Sequence, residues 1–237
     1  MIYVVNKKRK IENIKKDFPN TFILDITSSS NNKKGKMLSP FFPHGNIPIP
    51  FTKNKKATCV EAVWQGLKVF ESHDISLSTF DNDTMKDVKR SVRKNGRLLG
   101  HKRGIYGSKE ELLEYFEARM EIYLPTYKWV LENVEEVKEI IDKIKEYSKN
   151  NDIVLLDYNI NIDFRDITKP LSHAGLVKLY IEGNYPKESD KDKFSPMNQL
   201  ELEEKKKREK LLKKEIKNKS KKVKNKEFDQ LSLFDDI

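Results

Sequence analysis

The sequence predicts a mixed α/β fold: one largely helical domain with a short sheet over residues 1–186, followed by a C-terminal tail that is part charged helix and part disordered. Three observations predict it. The chain opens as strand, helix and strand. Amphipathic helical spacing then dominates from Val60 to Lys149, and after Tyr185-Pro186 apolar residues become sparse while lysine takes over.

Ile2-Tyr3-Val4-Val5 is a β-branched run, Lys7 to Asp17 carries helical spacing through Ile11 and Ile14, and Thr21 to Ile26 is strand-like after the Pro19-Asn20 break. Asp25 ends that second strand as a ribose-binding acid would. Residues 6–9 contain no glycine, however, and a pyrophosphate cannot approach such a turn closely, so a dinucleotide site is not expected. Ser28 to Lys36 reads as a polar loop. Met37 to Phe51 is apolar but punctuated by Pro40, Pro43, Pro48 and Pro50, which excludes regular helix. Helices are expected over Val60–Glu71, over Asp83–Asn95 with basic character, over Lys109–Asn133 with a break near Pro125, and over Glu135–Lys149. Ile153–Tyr158 is a strongly apolar strand. Ser172 is a fitting N-cap for a last short helix to Glu182.

The 237 residues carry a net charge of +10, unevenly placed. From Lys187 to Lys226 there are 16 Lys and Arg against 8 Asp and Glu, whereas Glu227 to Ile237 holds four acids and no base. A basic surface attracts polyanions through counterion release, which makes nucleic acid the leading partner class. A lone cysteine, Cys59, excludes an internal disulfide framework and suits a reducing compartment. No run is long and apolar enough for a membrane helix, and a cytoplasmic protein without membrane association is expected. Four scattered histidines, His44, His73, His101 and His173, show no ligand spacing, so neither metal nor other cofactor is expected. His173 reads as a helix-start or packing residue.

On a helix from Val60 to Glu71, a turn of about 100° per residue puts Val60, Val63, Leu67 and Phe70 on one side. Glu61, Gln65 and Lys68 share roughly the opposite side, with Trp64 between. An ordinary amphipathic helix explains this. So does a substrate site in which Trp64 stacks on a base. Asp157 and Asp163 fall near a strand end, where active-site carboxylates often lie in α/β folds.

Leu38-Ser39-Pro40-Phe41-Phe42-Pro43, Val60-Glu61-Ala62-Val63-Trp64-Gln65-Gly66-Leu67-Lys68 and Leu99-Gly100-His101-Lys102 together resemble the successive motifs of the NADAR (YbiA-like) N-glycosidases over residues 37–183. Pro40 stands where that family has Asn, and Ala62 where it has His. The resemblance implies cleavage of an N-glycosidic bond at ribose C1, with ADP-ribosylated guanine in nucleic acid or small ribosides as substrates. It makes Lys68 the nucleophile and Glu61 the acid/base. Gln65, Trp64, Phe41, Phe42 and Asp157 would hold substrate, and Arg97, Lys102 and Arg103 are candidates to meet phosphate, the alternative being a solvated basic loop.

At the C-terminus, Gln230-Leu231-Ser232-Leu233-Phe234 resembles the pentapeptide by which bacterial replication and repair proteins dock on the DNA sliding clamp. Leu233 and Phe234 would fill an apolar pocket, Leu231 a neighbouring one, and Gln230 the polar rim. The expected organisation is therefore a domain over 1–186, a lysine-rich tether over 187–229 and a docking peptide over 230–234. The expected activity is removal of ADP-ribose from guanine in DNA by a clamp-recruited enzyme. Two rivals are a phage or bacterial base-modification or base-exchange enzyme and a non-catalytic protein that occupies the clamp.

Overall fold

The computed structural model describes residues 1–220, so the tail from 221 onward and the docking peptide 230–234 lie outside the described residues. The chain runs through β1 (Ile2–Asn6), α1 (Ile11–Asp17), β2 (Phe22–Asp25), α2 (Lys33–Met37), β3 (Ile47–Pro48) and β4 (Lys56–Ala57). There follow α3 (Val60–Gly66), β5 (Lys68–Phe70), α4 (Leu77–Phe80), α5 (Val92–Asn95), β6 (Leu98–His101) and α6 (Tyr115–Ala118). A π-helical turn (Arg119–Tyr123) leads into α7 (Leu124–Asn133), then α8 (Glu135–Ser148), β7 (Ile153–Asp157), α9 (His173–Ile181), a 3-10 turn (Glu188–Asp192) and α10 (Gln199–Ser220).

The central sheet is three-stranded and parallel, in the order β1-β7-β2. β7 is inserted between the first two strands, pairing Ile2 with Ile153 on one side and Phe22 with Ile153 on the other. All five of its residues are buried, which is why Ile153-Val154-Leu155-Leu156 is apolar without alternation: a central parallel strand is covered on both faces. Val154 and Leu156 meet Val5, Ile14 and Phe18 on the α1 face, while Ile153 and Leu155 join the larger core under α8 and α9. In α8 the buried Val137, Ile140, Ile141 and Ile144 recur at three and four residues, and each contributes about 1.5–3 kcal/mol by burial.

Three expected helices differ from those observed. The helix begun at Val60 stops at Gly66, whose missing Cβ makes room for the Phe80 ring: a methyl there would come within 2.3 Å of it. The chain then extends into β5, which pairs antiparallel with β6, Lys68 opposite His101. The expected helix over Asp83–Asn95 shrinks to α5. Met85 and Asp87 adopt left-handed φ values of 60° and 53°, the Arg90 backbone N–H donates to Gln65 Oε1 instead of to a helix carbonyl, and Ser91 is extended. Near Pro125 the helix is continuous rather than broken, because the wider π-turn directly before it absorbs the ring and the missing N–H of proline.

The packing also runs past Pro186. α10 bears on the body through Glu201, which accepts from Arg165 at 2.6 Å, and Lys205, whose Nζ donates to Asn161 and Asp166, both at 2.7 Å. Ile216 packs beside the α1 cluster. Over Gln199–Ser220 the expected tether is thus helix, held to the body through Glu201 and Lys205. Among the described residues no helix is long and apolar enough to cross a membrane.

Candidate active site

At the carboxyl ends of β2 and β7, where open parallel sheets commonly bind ligands, lies a cavity of about 450 Å³. Two walls of different construction enclose it. The first comes from the stretch 39–41, from α3 and from β5, and carries Phe41, Glu61, Trp64, Gln65 and Lys68. α3 is seated by Cys59, whose Sγ accepts the Ala62 N–H at 3.3 Å, and by the Glu61 N–H, which donates to the Pro40 carbonyl at 2.8 Å. Successive α3 residues thereby turn Glu61 and Gln65 inward, one helical turn apart. Both are buried, and Gln65 Nε2 donates to Glu61 Oε1 at 2.7 Å.

Trp64 is clasped by three rings. His101 lies 4.0 Å away centroid to centroid, and Tyr115 and Tyr123 meet it edge-on at 5.8 and 5.6 Å. Lys68 reaches the cavity from β5 with its Nζ 5.9 Å from the Trp64 ring centre. Among the described residues the ammonium has no hydrogen-bond or ion-pair partner. Burial lowers its pKa below the usual lysine range; Glu61 opposes the shift, and the nearby charges of Lys89 and Arg90 add to it. An amine so placed gives up its proton more readily than a surface lysine. Behind Trp64, His101 is fully buried with both ring nitrogens unpartnered among the described residues, and burial followed by the Lys68 charge pushes its pKa down to about 3.

The second wall is the segment from Asp157 to His173. Asp157 Oδ2 accepts from the Ser172 hydroxyl at 2.7 Å and faces His173 Nδ1 at 3.0 Å, while His173 Nε2 lies 2.8 Å from the Ile26 carbonyl. A carbonyl can only accept, so the ring carries a proton on Nε2 and presents the other nitrogen to a carboxylate. That is the doubly protonated state. Burial works against the charge of each group, but their mutual attraction outweighs it, raising the pKa of His173 and lowering that of Asp157. Arg119, also buried, pins the same segment from inside by donating to the carbonyls of Phe164, Asp166 and Lys169 at 2.8–2.9 Å. Lys205 pins it from outside.

Of the residues singled out in the sequence, the cavity therefore gathers Lys68, Glu61, Gln65, Trp64, Phe41 and Asp157. Phe42 is turned away, its ring against His44 at 4.8 Å. The three expected phosphate ligands also lie outside the lining, each beside a carboxylate. Arg97 bonds Glu71 at 3.0 Å, Lys102 meets Asp74 at 3.4 Å, and Arg103 pairs with the buried Glu121 at 2.7 Å. Asp163 caps a local turn through the Arg165 N–H, and Asp25, the mimic of a ribose ligand, is held by Lys7 at 2.6 Å. Sequence reading missed Lys89, Arg90, Tyr123 and His173 as cavity residues. For His173 the one available signal was its place directly after the N-cap Ser172, whose hydroxyl accepts the Gly175 N–H at 3.0 Å. Among the described residues no cluster of His, Cys, Asp and Glu is arranged to hold a metal ion.

Fold and site together define a mixed α/β protein with a lysine, a carboxylate and aromatic rings in one cavity at the sheet's carboxyl edge. The model of the family of unknown function DUF6939 matches residues 6–177, and the chain belongs to that family. The match spans both cavity walls. No curated protein matches the chain.

Proposed function

We propose that the protein is an N-glycosidase that acts at ribose C1, with Lys68 as nucleophile and Glu61 as acid/base. The observation that carries the reading is the Lys68 amine, without a hydrogen-bond or ion-pair partner among the described residues and of lowered basicity, lining one cavity with the Glu61 carboxyl group. In the free-base form its lone pair attacks C1. The C1–N bond breaks toward the base, which takes a proton from the Glu61 carboxyl group; the bond from C1 to the ring oxygen then breaks, the proton on the amine nitrogen passes to that oxygen, and the opened sugar is left as an iminium on Lys68. Water then adds at C1 with Glu61 as base, and the sugar leaves as the free aldehyde while the amine is restored.

Phe41 and Trp64 supply flat apolar faces for a base, and Gln65 holds Glu61 in place through its 2.7 Å bond. The volume lies within the usual range of about 300–1,000 Å³ for small-ligand cavities. ADP-ribosylated guanine in DNA is the proposed substrate, in keeping with the resemblance to NADAR proteins and with the excess of basic residues. The peptide 230–234 would bring the enzyme to DNA by docking on the sliding clamp; its first residue, Gln230, comes ten positions after the end of α10 at Ser220.

Incubation with ADP-ribosylated DNA and, separately, with free ribosides, followed by mass spectrometry of the released products, tests the reading. Release of ADP-ribose from the DNA is expected, and its absence with every riboside tried would refute the glycosidase. For the docking peptide, pull-down with purified clamp should succeed with the parent and fail when Leu233 and Phe234 are both replaced by Ala; retention by that variant would refute docking.

A further inference from the structure

The charges around the cavity do not cancel. Five cationic side chains line it, Lys68, Lys89, Arg90, Arg119 and His173, against two carboxylates, Glu61 and Asp157. Three of the cations are already engaged. Arg119 is spent on three carbonyls, and Arg90 donates to the carbonyls of Lys68 at 2.7 Å and Asp74 at 2.6 Å. His173 sits between Asp157 and the Ile26 carbonyl. Lys68 has its chemical role. Lys89 is left, an exposed ammonium with no carboxylate or carbonyl partner among the described residues.

Lys89 is nevertheless placed. Its Nζ stands 5.3 Å from the centre of the Phe41 ring, on the cavity wall, and a cation held over an aromatic face loses less freedom when a ligand arrives. The hydroxyls of Ser28 and Ser91 and the carboxamide of Asn159 line the same space, and none of these side chains has a hydrogen bond among the described residues. An ammonium, two hydroxyls and an amide are together a donor set suited to tetrahedral oxyanions.

We propose that Lys89, with Ser28 and Ser91, is a phosphate subsite, so that the cavity takes a phosphorylated riboside rather than a neutral one. This deepens the glycosidase reading by naming the charged part of its substrate. It also puts phosphate recognition on the segment entering α5, instead of on Arg97, Lys102 and Arg103, which have carboxylates of their own. The phosphate belongs either to the nucleotide held in the cavity or to the backbone of a nucleic acid across its mouth.

Titration calorimetry at fixed low salt separates the possibilities with four probes: inorganic pyrophosphate, ADP-ribose, adenosine and a short single-stranded oligonucleotide. Lys89→Ala should weaken a phosphate-bearing probe about ten- to a hundredfold, the usual range for a charge-assisted hydrogen bond, and leave adenosine unchanged. Loss for ADP-ribose and pyrophosphate assigns the subsite to the nucleotide's own phosphates; loss for the oligonucleotide alone assigns it to the backbone. Lys94→Ala, an exposed lysine on α5 outside the cavity, should behave as the parent. Equal weakening by Lys94→Ala, or undiminished binding of every phosphate probe by Lys89→Ala, overturns the proposal. Binding is read without turnover, so a protein that binds through Lys89 but cleaves nothing would count against the glycosidase and not against the subsite.

Discussion

The two walls of the cavity are held by opposite means. On the α3 wall Glu61, Trp64 and Gln65 come from one helical turn, and Lys68 follows two residues after the helix ends, so local backbone geometry sets their spacing even though the rings around Trp64 come from His101, Tyr115 and Tyr123. The Asp157–His173 wall has almost no regular structure. Buried and half-buried polar contacts reaching across the chain fix it, from His173 to Ile26, Arg119 to Lys169, and Lys205 to Asp166. A wall of the first kind can lose a polar side chain and keep its shape, because the helix is made by backbone and apolar packing. A wall of the second kind is made by the polar side chains themselves, and removing one strands its partner in a dry interior.

The largest expected effect follows from that difference. Asp157→Ala leaves the buried His173 without its counter-charge and should cost about 3–5 kcal/mol in urea unfolding. A loss below about 1 kcal/mol would put the two walls on the same footing.

Next in size is a pH effect that divides the histidines. His101, behind Trp64, has a pKa lowered from 6.5 to about 3, so the unfolded chain binds a proton that the fold refuses as pH drops below 6.5. Stability should fall there by up to about 1.4 kcal/mol per pH unit. His44, also lowered by burial, adds in the same direction, and below the ordinary carboxylate range Asp157 adds a loss of its own. His173 has the opposite sign: its raised pKa stabilises the fold below 6.5, and that contribution is lost as pH rises through the raised value. Unfolding of His101→Phe, which keeps the ring against Trp64, should show a shallower acid limb than the parent. An unchanged limb would mean that His101 is not the group refused.

Much of the α3 wall was legible in the sequence and little of the other. The spacing of Glu61 and Gln65 puts them on one face directly, with Trp64 at its edge. Lys68 was assigned to the same cavity on a helix that in fact ends at Gly66, and it arrives there from a strand instead. Arg97, Lys102 and Arg103 read as free cations because the carboxylates that hold them, Glu71, Asp74 and Glu121, are brought close only by the β5-β6 pair and the π-turn. His173 and Asp157 could not be paired from spacing either. The contact of His173 with the Ile26 carbonyl depends further on β7 lying beside β2, a choice of strand order that local pattern does not encode.

A smaller effect tests the outer brace. Lys205→Ala removes the bonds to Asn161 and Asp166 and should cost about 1–2 kcal/mol, with faster amide exchange over residues 159–171. Lys205→Arg should recover part of the protection. Unchanged exchange in Lys205→Ala would make α10 a passenger on the body.

The smallest stability effects belong to the reacting residues. Lys68→Ala and Glu61→Gln should each stay within about 1 kcal/mol of the parent, since neither removes a partner from a buried ion pair. Activity should nonetheless vanish in both. A large loss of stability would return this pair to a structural role.

One measurement addresses the central claim most directly. The protein is incubated with ADP-ribosylated DNA, treated with borohydride, digested and examined by peptide mass spectrometry. An iminium at C1 would be reduced to a stable secondary amine, so the account predicts a sugar adduct on the peptide containing Lys68 and none in Lys68→Ala. Product released with no adduct on Lys68, or by Lys68→Ala at the parent's rate, would contradict it.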